Sequence, residues 1–227
     1  MKTNLIKLAF VAVVLAFGIK NCLSQGFVNL DFESAVIIHD PSYGSPYVVY
    51  ASDAIPEWTA TGDLGPNDIL YNTASTGATS VSILGINGFP PALDGAFSVY
   101  LYGGHTAAFA SISQTAIVPV SAESILFWSQ DNGQQVGTLL VSLSGQNISF
   151  FALSTGANRT TLYGGNIPSG LAGQSEQLMF SALDGENFWN IDDIQFSTSP
   201  VPEPSVFALT ALGGLLLGFR RWRNSSR

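Results

Sequence analysis

Phe109-Ala110-Ser111-Ile112-Ser113 and, further on, Val141-Ser142-Leu143-Ser144 alternate apolar and hydroxyl-bearing residues with a period of two. A strand sends successive side chains to opposite faces, so this pattern puts one face in an apolar interior and the other in water. Working outward, runs rich in Val, Ile, Phe, Tyr, Ser and Thr recur about every ten residues: Phe27–Glu33, Tyr47–Ala51, Asp68–Tyr71, Ser80–Leu84, Ala96–Tyr102, Ala107–Ile117, Ser124–Ser129, Gly137–Leu143, Asn147–Leu153, Gln177–Ala182 and Trp189–Phe196. Between them, Tyr102-Gly103-Gly104, Asp131-Asn132-Gly133 and Leu183-Asp184-Gly185-Glu186 supply turn chemistry. No stretch before the C-terminal tail sustains a helical period. The spacing predicts an all-β fold, an antiparallel β-sandwich of jelly-roll type, flanked by an N-terminal signal helix and a C-terminal hydrophobic helix.

The two flanks read as addresses. Met1 to Lys7 carries two lysines, Leu8 to Ile19 is apolar, and Cys22-Leu23-Ser24 ends the segment, which is the three-part form of a secretory signal peptide. Cleavage after Ser24 (domain 1–24) leaves Gln25 first and removes the only cysteine; the Sec translocon and signal peptidase are the implied partners. Lys20 and Asn21 stand where a lipoprotein signal needs small or apolar residues. At the other end (200–227), Val201-Pro202-Glu203-Pro204 precedes an uncharged run from Val206 to Phe219, closed by Arg220, Arg221 and Arg223. Fourteen residues make a helix of roughly 21 Å, shorter than the ~30 Å hydrocarbon core. Length alone suits a buried helix. An all-round apolar surface and the arginine cluster suit a transient or permanent membrane segment, with long arginine stems reaching the interface and the C-terminus inside.

Between them lie about 175 residues, 25–199, one domain's worth. Arg159 is the only Lys or Arg in this body, against fifteen Asp and Glu. Nucleic acid and anionic lipid both need cationic contacts, so this surface disfavours them; it favours divalent cations. Without cysteine, the exported body relies on its core.

Pro202-Glu203-Pro204, then an apolar helix, then a terminal arginine cluster resembles the PEP-CTERM protein-sorting signal of Gram-negative bacteria. The resemblance implies export, retention in the inner membrane, processing by an exosortase near that motif, and delivery to the cell surface in company with exopolysaccharide or biofilm production. The tripeptide would be recognised and would perform no chemistry.

Within the body, Asn29-Leu30-Asp31-Phe32-Glu33, Pro56-Glu57-Trp58 and Asn190-Ile191-Asp192-Asp193-Ile194-Gln195-Phe196 resemble the layout of galactose-binding-like jelly rolls found in many carbohydrate-binding modules. That family brings an N-terminal Phe-Glu strand beside a C-terminal Asp-Asp strand and often holds a structural calcium there. The implied ligands are Glu33 with Asp192 or Asp193, only one of the pair if strand alternation sends them to opposite faces. Solvated carboxylates at an acidic rim are the alternative.

Aromatic residues offer a stacking platform for sugar rings, or core filling. Trp128 and Trp189 read as core; Trp58, Tyr43 and Tyr47 read as the exposed set. For catalysis the inventory is thin. His39 and His105 lack ligand or triad spacing, no nucleophile elbow is present, zinc has no cysteine, and no phosphate loop follows a strand. Glu57, Glu123, Glu176 and Glu186 are carboxylates available to a glycosidase. The expectation is a non-catalytic exported surface or matrix protein, needing no cofactor beyond a structural calcium; the alternative is a secreted glycan-active enzyme or carbohydrate-binding module on the same sandwich.

Overall fold

The computed structural model describes residues 26–73, 78–104, 109–130, 138–157, 160–183 and 188–202. The signal segment 1–24, Glu203, Pro204, the apolar run 206–219 and Arg220, Arg221 and Arg223 lie outside the described residues, as do His105, Arg159 and Glu186. Among the described residues no helix is long and apolar enough to cross a membrane.

The fold is the β-sandwich that the alternation predicts. The elements are β1 (Val48–Tyr50), a one-turn helix α1 (Ala51–Ala54), β2 (Thr59–Thr61), β3 (Asp68–Tyr71), β4 (Ser80–Gly85), β5 (Phe97–Tyr102), β6 (Ala110–Ile117), β7 (Ser124–Gln130), β8 (Leu139–Leu143), β9 (Gln146–Asn147), β10 (Phe150–Thr155), β11 (Thr160–Asn166), β12 (Ser175–Ala182) and β13 (Phe188–Ser197). They form an eight-stranded sheet, β1-β3-β4-β5-β13-β7-β11-β10, and a five-stranded sheet, β2-β6-β12-β8-β9. Neighbours run antiparallel except β3 and β4.

The period-two stretches fill the interior. Ile112 on β6, Phe180 on β12 and Val141 on β8 are in register and buried. From the large sheet, Phe127 on β7 meets Phe180 edge-on at 5.3 Å and also contacts Phe150 (5.3 Å) and Tyr163 (5.5 Å). These centroid distances are those of favourable aromatic pairs, and they join the two sheets. Gln114, on the core-facing side of β6, is buried yet satisfied: its side chain accepts from Val28 N at 2.8 Å and donates to Val28 O at 3.0 Å.

Two expectations change. Phe27–Glu33 is not a strand. Asn29 and Phe32 adopt positive φ (51° and 56°), so the segment turns twice; Phe27 and Phe32 are buried, and Leu30 O accepts from Ile194 N at 2.9 Å. The residues that looked like an alternating strand are thus a coil pinned by two aromatic plugs. Strands β2, β9 and β11 escaped the sequence reading, because three- and two-residue strands carry no period and Thr160–Asn166 is interrupted by Gly164-Gly165.

The body also extends past Ser199. Val201 is buried, and the Asn166 side-chain amide clamps it, accepting from Val201 N at 2.6 Å and donating to Val201 O at 2.9 Å. The Pro-Glu-Pro motif therefore begins at the wall of the sandwich, with Pro202 exposed.

Phe127→Ala should cost about 3–5 kcal/mol, since it empties the aromatic contact between the sheets. Urea unfolding would show it as a lower midpoint with an unchanged slope.

Candidate functional site

Strand β13 carries the site because it contains an error in its own alternation. Ile191 pairs with Ser129 and Asp192 with Trp128, after which the register slips before Gln195 pairs with Leu126. Asp193 is the extra residue, at φ 48°. A bulge of this kind inserts one residue and re-aims its neighbours. Ile191 and Ile194 thus both stay in the core, and Asp192 and Asp193 line the same cavity. The expectation that adjacent aspartates face opposite sides is overturned by this bulge.

The cavity, about 350 Å³ and open to solvent, lies on the outer face of the large sheet, with Trp128, Asp94, Asp192, Asp193, Leu93 and Thr160 among its walls. Trp128 was expected in the core. It follows Phe127, which takes the inward position, so the indole stands on the outer face, half-buried, opposite Asp192 on β13 and Leu162 on β11. At Gly156 the chain passes so near the ring that an added Cβ would come within 2.9 Å of it, which is why a side chain is absent there. Asp94 arrives from the loop after β4, which Asn190 Nδ2 ties to β13 through Pro91 O at 3.4 Å.

Backbone amides hold the acids in place. Asp192 Oδ2 accepts from Asp94 N (3.2 Å) and Oδ1 from Asp193 N (2.8 Å), while Glu33 Oε1 accepts from Ala96 N (2.8 Å) and Phe97 N (3.0 Å). Gly95, at φ 55°, leaves room for that carboxylate; a methyl group there would collide with it. Asp192 is 1% exposed, and burial pushes its carboxyl up to about 8, the Asp193 and Glu33 charges adding to the effect and the two amide bonds opposing it. Asp193 is raised as well, first by burial and then by Asp94, Asp31 and Glu33. The N-terminal and C-terminal acids are therefore neighbours. Among the described residues, however, no group of three acidic or histidine side chains is arranged to hold a metal. A calcium ion here would draw on one or two of Glu33, Asp192 and Asp193 and complete its shell with carbonyl oxygens; hard oxygen donors of this kind suit it.

The other predicted residues separate. Trp58 is buried, 5% exposed, not displayed: it packs on Phe32 at 5.7 Å and its Nε1 donates to Asn29 O at 3.0 Å. Pro56-Glu57 forms a tight turn, Glu57 at φ 69°, that folds the indole back onto the N-terminal segment. Its edge reaches a second open cavity of about 580 Å³, together with Tyr50, Ser52, Thr59 and Asn67. Tyr43 and Tyr47 are exposed as expected, 46% and 53%, but line neither cavity. Trp189 is buried as predicted. Glu57, Glu123 and Glu176 line neither cavity. Asp94 and the exposed Phe89 were not singled out from sequence; a loop of Pro, Gly and Leu gives no periodic signal that marks them.

Because an aspartate in the unfolded chain titrates near ~3.9, the folded protein holds the Asp192 proton more tightly. That contribution to stability is complete below about pH 4 and is lost as pH rises to about 8. Metal-stripped protein should melt lower at pH 8 than at pH 5, and Asp192→Asn should flatten the difference. An unaltered pH profile in the variant would assign the drop to other groups.

No family model matches the chain, and no curated protein matches it. Solved structures that superpose on it include TmCBM61, a carbohydrate-binding module in complex with β-1,4-galactotriose, at 16% identity, TM-score 0.41, covering 76% of this chain and 97% of that one. Another is the K2 cleaved adhesin domain of Lys-gingipain, at 16% identity, TM-score 0.40, covering 62% and 88%. A third is the Stig cyclase Fisc from Fischerella sp. TAU, at 13% identity, TM-score 0.39, covering 78% and 97%.

Proposed function

We propose that the folded body is a non-catalytic glycan-binding module, exported by its signal peptide, retained through its C-terminal helix, processed by an exosortase and then held in an exopolysaccharide layer at the cell surface. The observation that carries the binding role is the cavity beside Trp128. A sugar ring presents an apolar C–H face and a rim of hydroxyls; a half-buried indole offers the matching π-face, and the carboxylates of Asp94 and Asp193 accept from hydroxyls. A structural calcium at Glu33 with Asp192 or Asp193 would relieve the repulsion among these acids and fix the loop that carries Asp94. The sorting role rests on the PEP-CTERM resemblance.

A second reading has one observation in its favour. A buried carboxyl held protonated at neutral pH beside other carboxyl groups is the arrangement in which a general acid works, and glycosidases use such carboxyl pairs. In that reading Asp192 donates the proton and Asp94 or Asp193 is the partner.

Binding of β-linked oligosaccharides, followed calorimetrically and by product analysis, separates the two. Saturable binding without turnover, weakened roughly tenfold by Trp128→Ala in a variant that melts near the wild-type temperature, is the expected result. Turnover abolished by Asp192→Asn establishes the enzyme instead. For sorting, replacing Pro202-Glu203-Pro204 by alanines should leave an unprocessed, membrane-retained chain by intact-mass analysis; an unchanged mature mass removes the exosortase assignment.

A further inference from the structure

Toward the β1 edge of the large sheet, a second polar site sits apart from the Trp128 cavity. The register sets Tyr50 opposite Asp68 on one side and Ser80 opposite Tyr102 on the other. β3 and β4 run parallel with Leu70 beside Ser82, so two residues earlier Asp68 stands beside Ser80, on the same face. The loop that follows β2 closes over them, held by Asp63 N to Thr79 O (2.9 Å) and Thr79 N to Asp63 Oδ2 (2.9 Å). Between loop and strands remains a cavity of about 10 Å³, with Gly62, Leu64, Gly65, Asp68 and Ser80 among its walls. That is the space of one water-sized guest.

Two of these walls carry polar atoms that nothing in the protein answers. Asp68 Oδ1 and Ser80 Oγ, in side chains 9% and 4% exposed, have no hydrogen-bond partner. A second buried acid, Asp40, stands close enough for the two carboxyl groups to perturb each other: Asp40 is held low, first by its bond from Ser42 N (2.7 Å), and Asp68 is raised, first by burial. Asp40 is thereby held ionised, so the pair retains at least one negative charge. The described residues include no Lys or Arg to balance it.

The geometry points to a cation site: a hard ion stripped of its water, calcium or sodium, seated between Asp68 and Ser80 and completed by carbonyl oxygens of the covering loop. A neutral water would satisfy the orphaned oxygens but leave the charge uncompensated in a buried place. Magnesium keeps several of its waters and has no room for them here; zinc finds neither nitrogen nor sulfur. The bound ion would fasten the loop leaving β2, in the small sheet, to β3 and β4 in the large one. It is independent of the Glu33–Asp193 region and of any glycan.

The test uses the full-length chain, stripped of metal and titrated with calcium chloride in potassium buffer and, in a parallel arm, with sodium chloride in choline buffer. The melting temperature and tyrosine fluorescence are followed in both. One ion is expected to raise the melting temperature saturably in wild type and in Glu33→Gln. Asp68→Asn and Ser80→Ala should each weaken that response at least tenfold in ion concentration while folding normally, Asp68→Asn being at least as stable as wild type without metal. If neither ion acts on wild type, or if Asp68→Asn and Ser80→Ala respond as wild type does, the site holds only a water. Loss of the response in Glu33→Gln alone would place the ion at the Trp128 side and overturn the assignment equally.

Discussion

Negative charge without an internal counter-charge constrains this sandwich more than any single contact. The body has fifteen carboxylates and one arginine, so its acids cannot be neutralised by ion pairs. They are answered by backbone amides instead. Glu33 takes the N–H groups of Ala96 and Phe97, Asp192 those of Asp94 and Asp193, Asp63 that of Thr79, and Asp40 that of Ser42. The bonds of Glu33, of Asp63 and of Asp192 to Asp94 N join segments far apart in the chain, so these acids serve as fastenings of the connections. The charge they bring gathers at the Trp128 cavity, where Asp94, Asp192 and Asp193 meet.

The bulge in β13 shows how such a fastening becomes a site. An uninterrupted strand would have buried one of the two aspartates in the core opposite Phe180 and its neighbours, where an isolated carboxylate is untenable. Inserting Asp193 keeps Ile191 and Ile194 inward and releases both acids to the outer face. Core and cavity are then two consequences of one backbone irregularity. The same strand receives the N-terminal coil through Leu30 and the β4–β5 loop through Asn190, so the site is assembled from chain segments far apart in sequence.

Phe127 and Trp128 illustrate the division of labour between the sheet's faces. Adjacent in sequence and alike in chemistry, they differ by one step of the pleat. Phe127 joins the sheets through Phe180, and Trp128 faces solvent beside Asp192. Composition cannot tell them apart; only register can, and a one-residue slip would exchange their roles.

The sequence by itself determined the fold class, most strand positions and the acidity of the body, because these depend on local period, turn residues and charge count. It also marked Glu33, Asp192 and Asp193 as a set, and these do lie within electrostatic reach of one another. Tertiary structure alone decided that Phe27–Glu33 is a coil, that Trp58 is buried and Trp128 displayed, that both aspartates share a face, and that the fold runs on to Val201. Each of those outcomes turns on a positive φ, an inserted residue or a partner far away in the chain. A local pattern carries no record of where the distant strand lies, and burial is set by that distant strand.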